Sequence, residues 1–179
     1  MKNVTQLLSI LLVFVLAASA GAQDTDGTDQ TVEHEFLGMK LQLAPGWWGP
    51  VEGNYSDDER VLLASDGTPE EQGLLLISRL PGLNRTLEAF ATTTRNYVLT
   101  KMDGFVEHED HLEVGGSPAY LMIYQGKSTV DSNGWRKFYR VTVERSGDFL
   151  VFQGVMDEKY FPKHRGAFES MIKSIVWID

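Results

Sequence analysis

The residues best placed to do chemistry are four neighbours, His108, Glu109, Asp110 and His111, which bring two imidazoles and two carboxylates together. On a helix, side chains three apart share a face, and the two imidazoles could take a divalent metal between them. Their surroundings predict a strand instead, because Gly104 and Gly115 bracket the stretch and Val106, Leu112 and Val114 are spaced by even numbers. Side chains alternate across a strand, so His108 and His111 should face opposite ways and cannot share an ion. On this reading Glu107, Glu109, His111 and Glu113 make a solvated strand face. The remaining histidines read as surface residues: His34 between Glu33 and Glu35, and His164 on the exposed side of a helix between Lys163 and Arg165.

Other chemistries lack their residues. The chain has no cysteine, which excludes thiol catalysis, thiolate-bound zinc and iron–sulfur ligation. Ser117 stands between Gly116 and Pro118, outside the Gly-x-Ser-x-Gly frame of a nucleophile elbow, and reads as part of a turn. No glycine-rich loop leads into a helix with the lysine or serine that a phosphate cradle needs. Asp24, Asp26 and Asp29 lack the glycine and terminal glutamate of a calcium loop, and Asp57-Asp58-Glu59 reads as a hydrated polar loop. The expectation is a protein that is not an enzyme and holds no metal or cofactor.

Aromatic residues are the remaining clue. Trp47 and Trp48 are adjacent at the end of a strand, so one ring can enter the core while the other faces away. Trp135, Tyr120 and Tyr124 lie on long strands beside Phe138 and Tyr139. Either helices covering both faces of the sheet consume these rings, or Trp47, Trp48, Trp135, Tyr120 and Tyr124 contribute to a binding surface.

The elements that must position them follow from periodicity. Met39, Leu41 and Leu43 alternate up to the turn Ala44-Pro45-Gly46, and Val61–Ala64 and Leu74–Leu80 read as an antiparallel pair. Residues 86–102 change to helical spacing, with Thr86 or Asn84 as cap and Asp103-Gly104 as stop. Phe105–Val114 is a charged strand. Ala119–Val130, Trp135–Arg145 and Phe149–Met156 form a meander turned by Asn133-Gly134 and Ser146-Gly147, the Asn-Gly pair being a strong hairpin signal. Residues 161–174 form a second helix with Pro162 in its first turn and Phe168, Met171, Ile172 and Ile175 inward. The result is an α+β domain with a mainly antiparallel sheet of about six to seven strands and two main helices packed on it.

The amino terminus reads as a cleavable signal peptide over residues 1–22, with Lys2, the apolar run Leu7–Leu16 and small residues at Ala18, Ala20 and Ala22. Without cysteine no lipid can be attached after cleavage, so a free periplasmic or secreted protein is expected. Residues 23–35 carry several acids and one valine and read as a flexible acidic leader, leaving 36–179 as a single domain. A formal charge of −9 disfavours nucleic acid and anionic lipid as partners. The partner expected is an envelope protein, or else a small lipophilic ligand carried between sheet and helix.

Four short stretches resemble the PsbP-like fold shared by photosystem lumenal proteins, the Ran-binding Mog family and exported bacterial DcrB-like and LpqN-like proteins. They are Leu43-Ala44-Pro45-Gly46-Trp47, Leu87-Glu88-Ala89-Phe90, Val114-Gly115-Gly116-Ser117-Pro118-Ala119 and the run Phe168–Ile175. The resemblance implies a central antiparallel sheet between helices, an α/β/α sandwich, and non-catalytic work in binding or assembling other proteins. It supplies no catalytic residues to carry over.

Overall fold

In chain order the elements are β1 (Thr31–His34), β2 (Met39–Gln42), β3 (Trp47–Trp48), β4 (Arg60–Ser65), β5 (Leu74–Pro81), α1 (Leu87–Lys101), β6 (Phe105–Val114), β7 (Ser117–Lys127), β8 (Trp135–Arg145), β9 (Asp148–Met156), a 3-10 turn (Glu158–Tyr160), α2 (Phe161–Lys173) and β10 (Val176–Trp177). The computed structural model describes residues 30–51, 60–68, 70–127 and 134–178. The expected signal peptide, the acidic stretch 23–29, the Asp57–Glu59 loop and Asn133 lie outside the described residues.

Seven strands form one sheet in the order β3-β4-β5-β9-β8-β7-β6, and β1, β2 and β10 form a second, with every described pair antiparallel. The expected meander is β7-β8-β9. Strand β9 lies at the centre between β5 and β8, and it is buried from Phe149 to Met156, as a strand covered on both faces must be. α1 carries the chain from β5 to the far edge at β6, which lays it across one face of the sheet.

α1 starts where expected, with Thr86 Oγ1 accepting from the Ala89 N–H at 3.2 Å. It stops at Asp103, which adopts φ 50, and the Gly104 N–H closes back on the Val98 carbonyl. Gly104 is required there by proximity, since a Cβ would lie 2.2 Å from the Gln125 carbonyl oxygen. α2 carries Pro162 in its first turn and ends at Ser174, whose hydroxyl donates to the Met171 carbonyl and accepts from the Gln42 N–H. That last bond fastens the helix to β2.

The two faces of the large sheet are filled differently. Toward α2 and the small sheet, Met39, Leu41, Leu75, Ile77, Val141, Phe152, Phe168 and Met171 are buried at or near zero exposure in one large cluster. Toward α1, two smaller clusters hold Val98, Met102, Met122, Tyr124 and Phe138, and Leu80, Leu87, Phe90 and Phe149.

Two expectations need correction here. Thr31–His34 belong to a strand rather than to a flexible leader: Val32 is buried opposite Leu41, so pairing with β2 supplies the backbone hydrogen bonds and burial that the acidic stretch lacks by itself. The even spacing along β6 is also broken. One extra residue, Glu107, lies between the pairs Val106↔Tyr124 and His108↔Ile123, and this bulge sends Glu107 and Glu109 to opposite faces. The four acidic and imidazole groups expected on one solvated face are therefore divided between two.

Candidate binding surface

The five aromatic residues singled out above do not form one surface. Trp47, on the edge strand β3, turns inward and packs against Phe168 at 5.2 Å and His164 at 5.8 Å, leaving 6% of its area exposed. Trp48, opposite Ala64, is half-buried. Tyr124 is buried beneath α1 in a stack with Phe138, ring centroids 4.7 Å apart, and that burial raises its phenol above the ordinary tyrosine range. Tyr120 lies on the same face, partly buried, with its hydroxyl donating to Glu109 Oε1 at 3.0 Å and accepting from Arg95 Nη2 at 3.2 Å. Trp135 alone of the five is broadly exposed, at 44%. Trp47 and Tyr124 are thus core residues: the helices cover both faces of the sheet, and each ring points under one of them.

Trp135 has a neighbour that the sequence reading did not single out. Phe105, 48% exposed, stands with its ring centroid 6.3 Å from that of Trp135. Three local features hold the pair in place. The tight turn at Asp103-Gly104 starts β6 opposite Gln125, the cross-strand pair Lys127↔Trp135 sets the tryptophan beside β7, and both rings project from the face that carries α2. Lys127 Nζ lies 5.9 Å from the Trp135 ring and 2.5 Å from Asp103 Oδ2. Beneath the pair, Lys137 is almost fully buried, with Nζ held by both carboxylate oxygens of Glu107 and set 5.1 Å from the Phe161 ring. Gln125 Nε2 donates to Glu158 Oε1 at 2.5 Å. Among the described residues the charges beside the pair therefore have partners, and what they leave for a ligand is aromatic area. An exposed tryptophan beside a phenylalanine suits desolvation against another protein, where tryptophan is a common anchor.

The opposite face offers polar side chains that are used internally. Arg95 of α1 makes a forked contact with Glu109 at 2.7 to 3.1 Å, and this hydrogen bond raises the guanidinium pKa. Arg140 lies under α1 over the Phe90 ring and donates to Gln153 Oε1 at 2.8 Å; burial lowers its pKa. Beyond the start of α1 a cleft of about 320 Å³ is rimmed by Glu88, His111, Glu113 and Glu144 over Leu87 and Ala119. His111 stands edge-on to Tyr120 at 4.9 Å, whereas His108 pairs with Ile123 on the other face, so the two imidazoles diverge as the strand reading required.

His164 is not the surface residue expected from its charged neighbours. It is 2% exposed, and its Nε2 lies 2.7 Å from the Glu71 carbonyl oxygen. The signal was present in the spacing: His164, Phe168, Met171 and Ile175 follow the helical interval of three and four and share the inward face. His34 is partly buried as well, its Nδ1 accepting from the Leu37 N–H at 3.3 Å.

The architecture is that of the PsbP-like fold, and solved structures with the same arrangement place it there. Cyanobacterial PsbP (CyanoP) of Synechocystis sp. PCC 6803 is similar with a TM-score of 0.58 and 14% identity over 89% of this chain and 98% of that one. The Ran-binding protein Mog1p of Saccharomyces cerevisiae gives 0.59 and 9% identity over 85% and 96%. LpqN of Mycobacterium tuberculosis, involved in cell envelope biogenesis, gives 0.60 and 12% identity over 85% and 91%. No family model and no curated protein sequence matches the chain. Among the described residues no helix is long and apolar enough to cross a membrane.

Proposed function

We propose that this is an exported, periplasmic or secreted, non-enzymatic protein that binds or helps assemble an envelope protein, and that Trp135 and Phe105 are the anchor of that contact. The observation that carries the reading is the exposed aromatic pair on a sheet face where the described strand aromatics Trp47, Tyr139 and Phe152 are packed away. Because Lys127 and Lys137 beside the rings are already paired with Asp103 and Glu107, a partner can cover both rings without leaving either ammonium uncompensated. The apolar run and small residues of 1–22 support export by a cleaved leader, with the mature chain acting as one domain. Two neighbours in fold, described as Ran-binding and as involved in cell envelope biogenesis, lend the reading precedent. A lipophile carrier has less support, since the cleft is rimmed by three glutamates and a histidine.

Photo-crosslinking in the native cell tests the proposal. A photoreactive residue at Trp135 or Phe105 should give the same discrete protein adduct, and one at Leu83, more exposed than either on the turn before α1, should not. Absence of an adduct at 135, or an identical adduct at 83, overturns the assignment.

A further inference from the structure

Three elements meet at the His164 imidazole. Its Nε2 faces the Glu71 carbonyl oxygen in the turn between β4 and β5. A carbonyl can only accept, so Nε2 carries the proton and Nδ1 is left bare. The ring stands edge-on to Trp47 of β3 and fills the space where Gly73 lacks a side chain; a Cβ there would lie 2.9 Å from the imidazole Cγ and 3.0 Å from Nδ1. The bond to Glu71 is the ring's one hydrogen bond among the described residues. A second proton, on Nδ1, would put a charge on a ring that is 2% exposed and packed edge-on against Trp47, with no acceptor bonded to Nδ1 among the described residues.

The charged groups around the ring do not supply one. On α2, Lys163 is adjacent and Arg165 is engaged by Glu169 at 2.8 Å. The β4–β5 turn carries Asp66, Glu70 and Glu71, and the Glu71 carboxylate is directed to the Thr68 N–H. β3 contributes two tryptophans and no charge.

We propose that His164 is an acid-sensitive latch: neutral, it holds α2 to the β4–β5 turn and β3, and protonated, it releases that turn and uncovers Trp47. Burial depresses the imidazole below its ordinary value of 6.5; the bond to Glu71 opposes the shift and Lys163 adds to it. A depressed pKa in the closed state means that closure is fully favoured above the open-state value and is lost as pH falls below it. The turn reports the opening directly, because Ser65 N–H bonds the Gly73 carbonyl at 2.9 Å, Gly73 N–H bonds Ser65 Oγ at 2.8 Å and Asp66 N–H bonds the Gly46 carbonyl at 2.7 Å.

Amide hydrogen exchange of the full protein between about pH 7.5 and 5 is the test. The protection factors of Ser65, Asp66 and Gly73 should stay level down to about 6.5 and then fall by up to about tenfold per pH unit, the limit for uptake of one proton. Val141 in the sheet centre should not follow. In His164→Gln, whose amide can still donate to the Glu71 carbonyl but does not titrate, the three amides should be insensitive to pH. A flat wild-type profile, or the same fall in His164→Gln, overturns the proposal. Should His164→Gln not fold, NMR titration of the wild-type ring decides: a pKa at or above 6.5 overturns the latch, and a lower one that coincides with the loss of protection supports it.

Discussion

Trp47 and Trp135 project from the same side of one sheet and meet opposite fates. Trp47 is covered by the first turns of α2, where His164 and Phe168 close over it. Trp135 lies beyond the amino-terminal end of that helix, beside Phe105, and among the described residues Lys127 reaches over its ring. Residue type does not separate the two; the element above each one does. The comparison teaches that an aromatic residue in this fold is informative about binding only where the covering helix does not reach.

If the closed end is held by packing, its variants should cost most. Phe168→Ala empties a site with no solvent exposure in contact with Trp47, Tyr139 and His164, and should lose about 3–5 kcal/mol of unfolding free energy in urea titration. A loss below about 1 kcal/mol would mean that this end is looser than its geometry indicates. Gly154→Ala comes next. The Phe168 ring lies against that glycine, and an added Cβ would stand 2.6–2.9 Å from three ring carbons, so about 1–3 kcal/mol should be lost by the same titration. Trp135→Ala should change stability least, within about 0.5 kcal/mol, while abolishing the adduct formed from a photoreactive residue at 105. A large loss of stability with that substitution would make Trp135 a packing residue and erase the contrast.

Most of the fold was legible because strands and helices here obey their periods. The alternation in residues 39–43 and the helical spacing in 86–102 and 161–174 placed the main elements to within a few residues. Less legible were features that depend on cover. β1 reads as acidic leader until Val32 finds Leu41 across the strand pair. The Glu107 bulge leaves no local trace, because both sides of β6 carry acids. Lys163 and Arg165 masked His164, although its interval to Phe168 placed it inward. For the candidate surface, the sequence pointed to Trp135 but grouped it with rings that the helices bury. Phe105, an apolar residue opening a charged strand, became visible only when β6 and β8 came together around β7.

Hydroxyl-radical footprinting, in isolation and in native envelope extract, tests the contrast between the two ends most directly. The account predicts that Trp135 and Phe105 oxidise readily in the isolated protein and are protected in the extract, while Trp47 is protected in both. Slow oxidation of Trp135 in isolation, or oxidation as fast in the extract as outside it, would contradict a contact surface at the open end of the sheet.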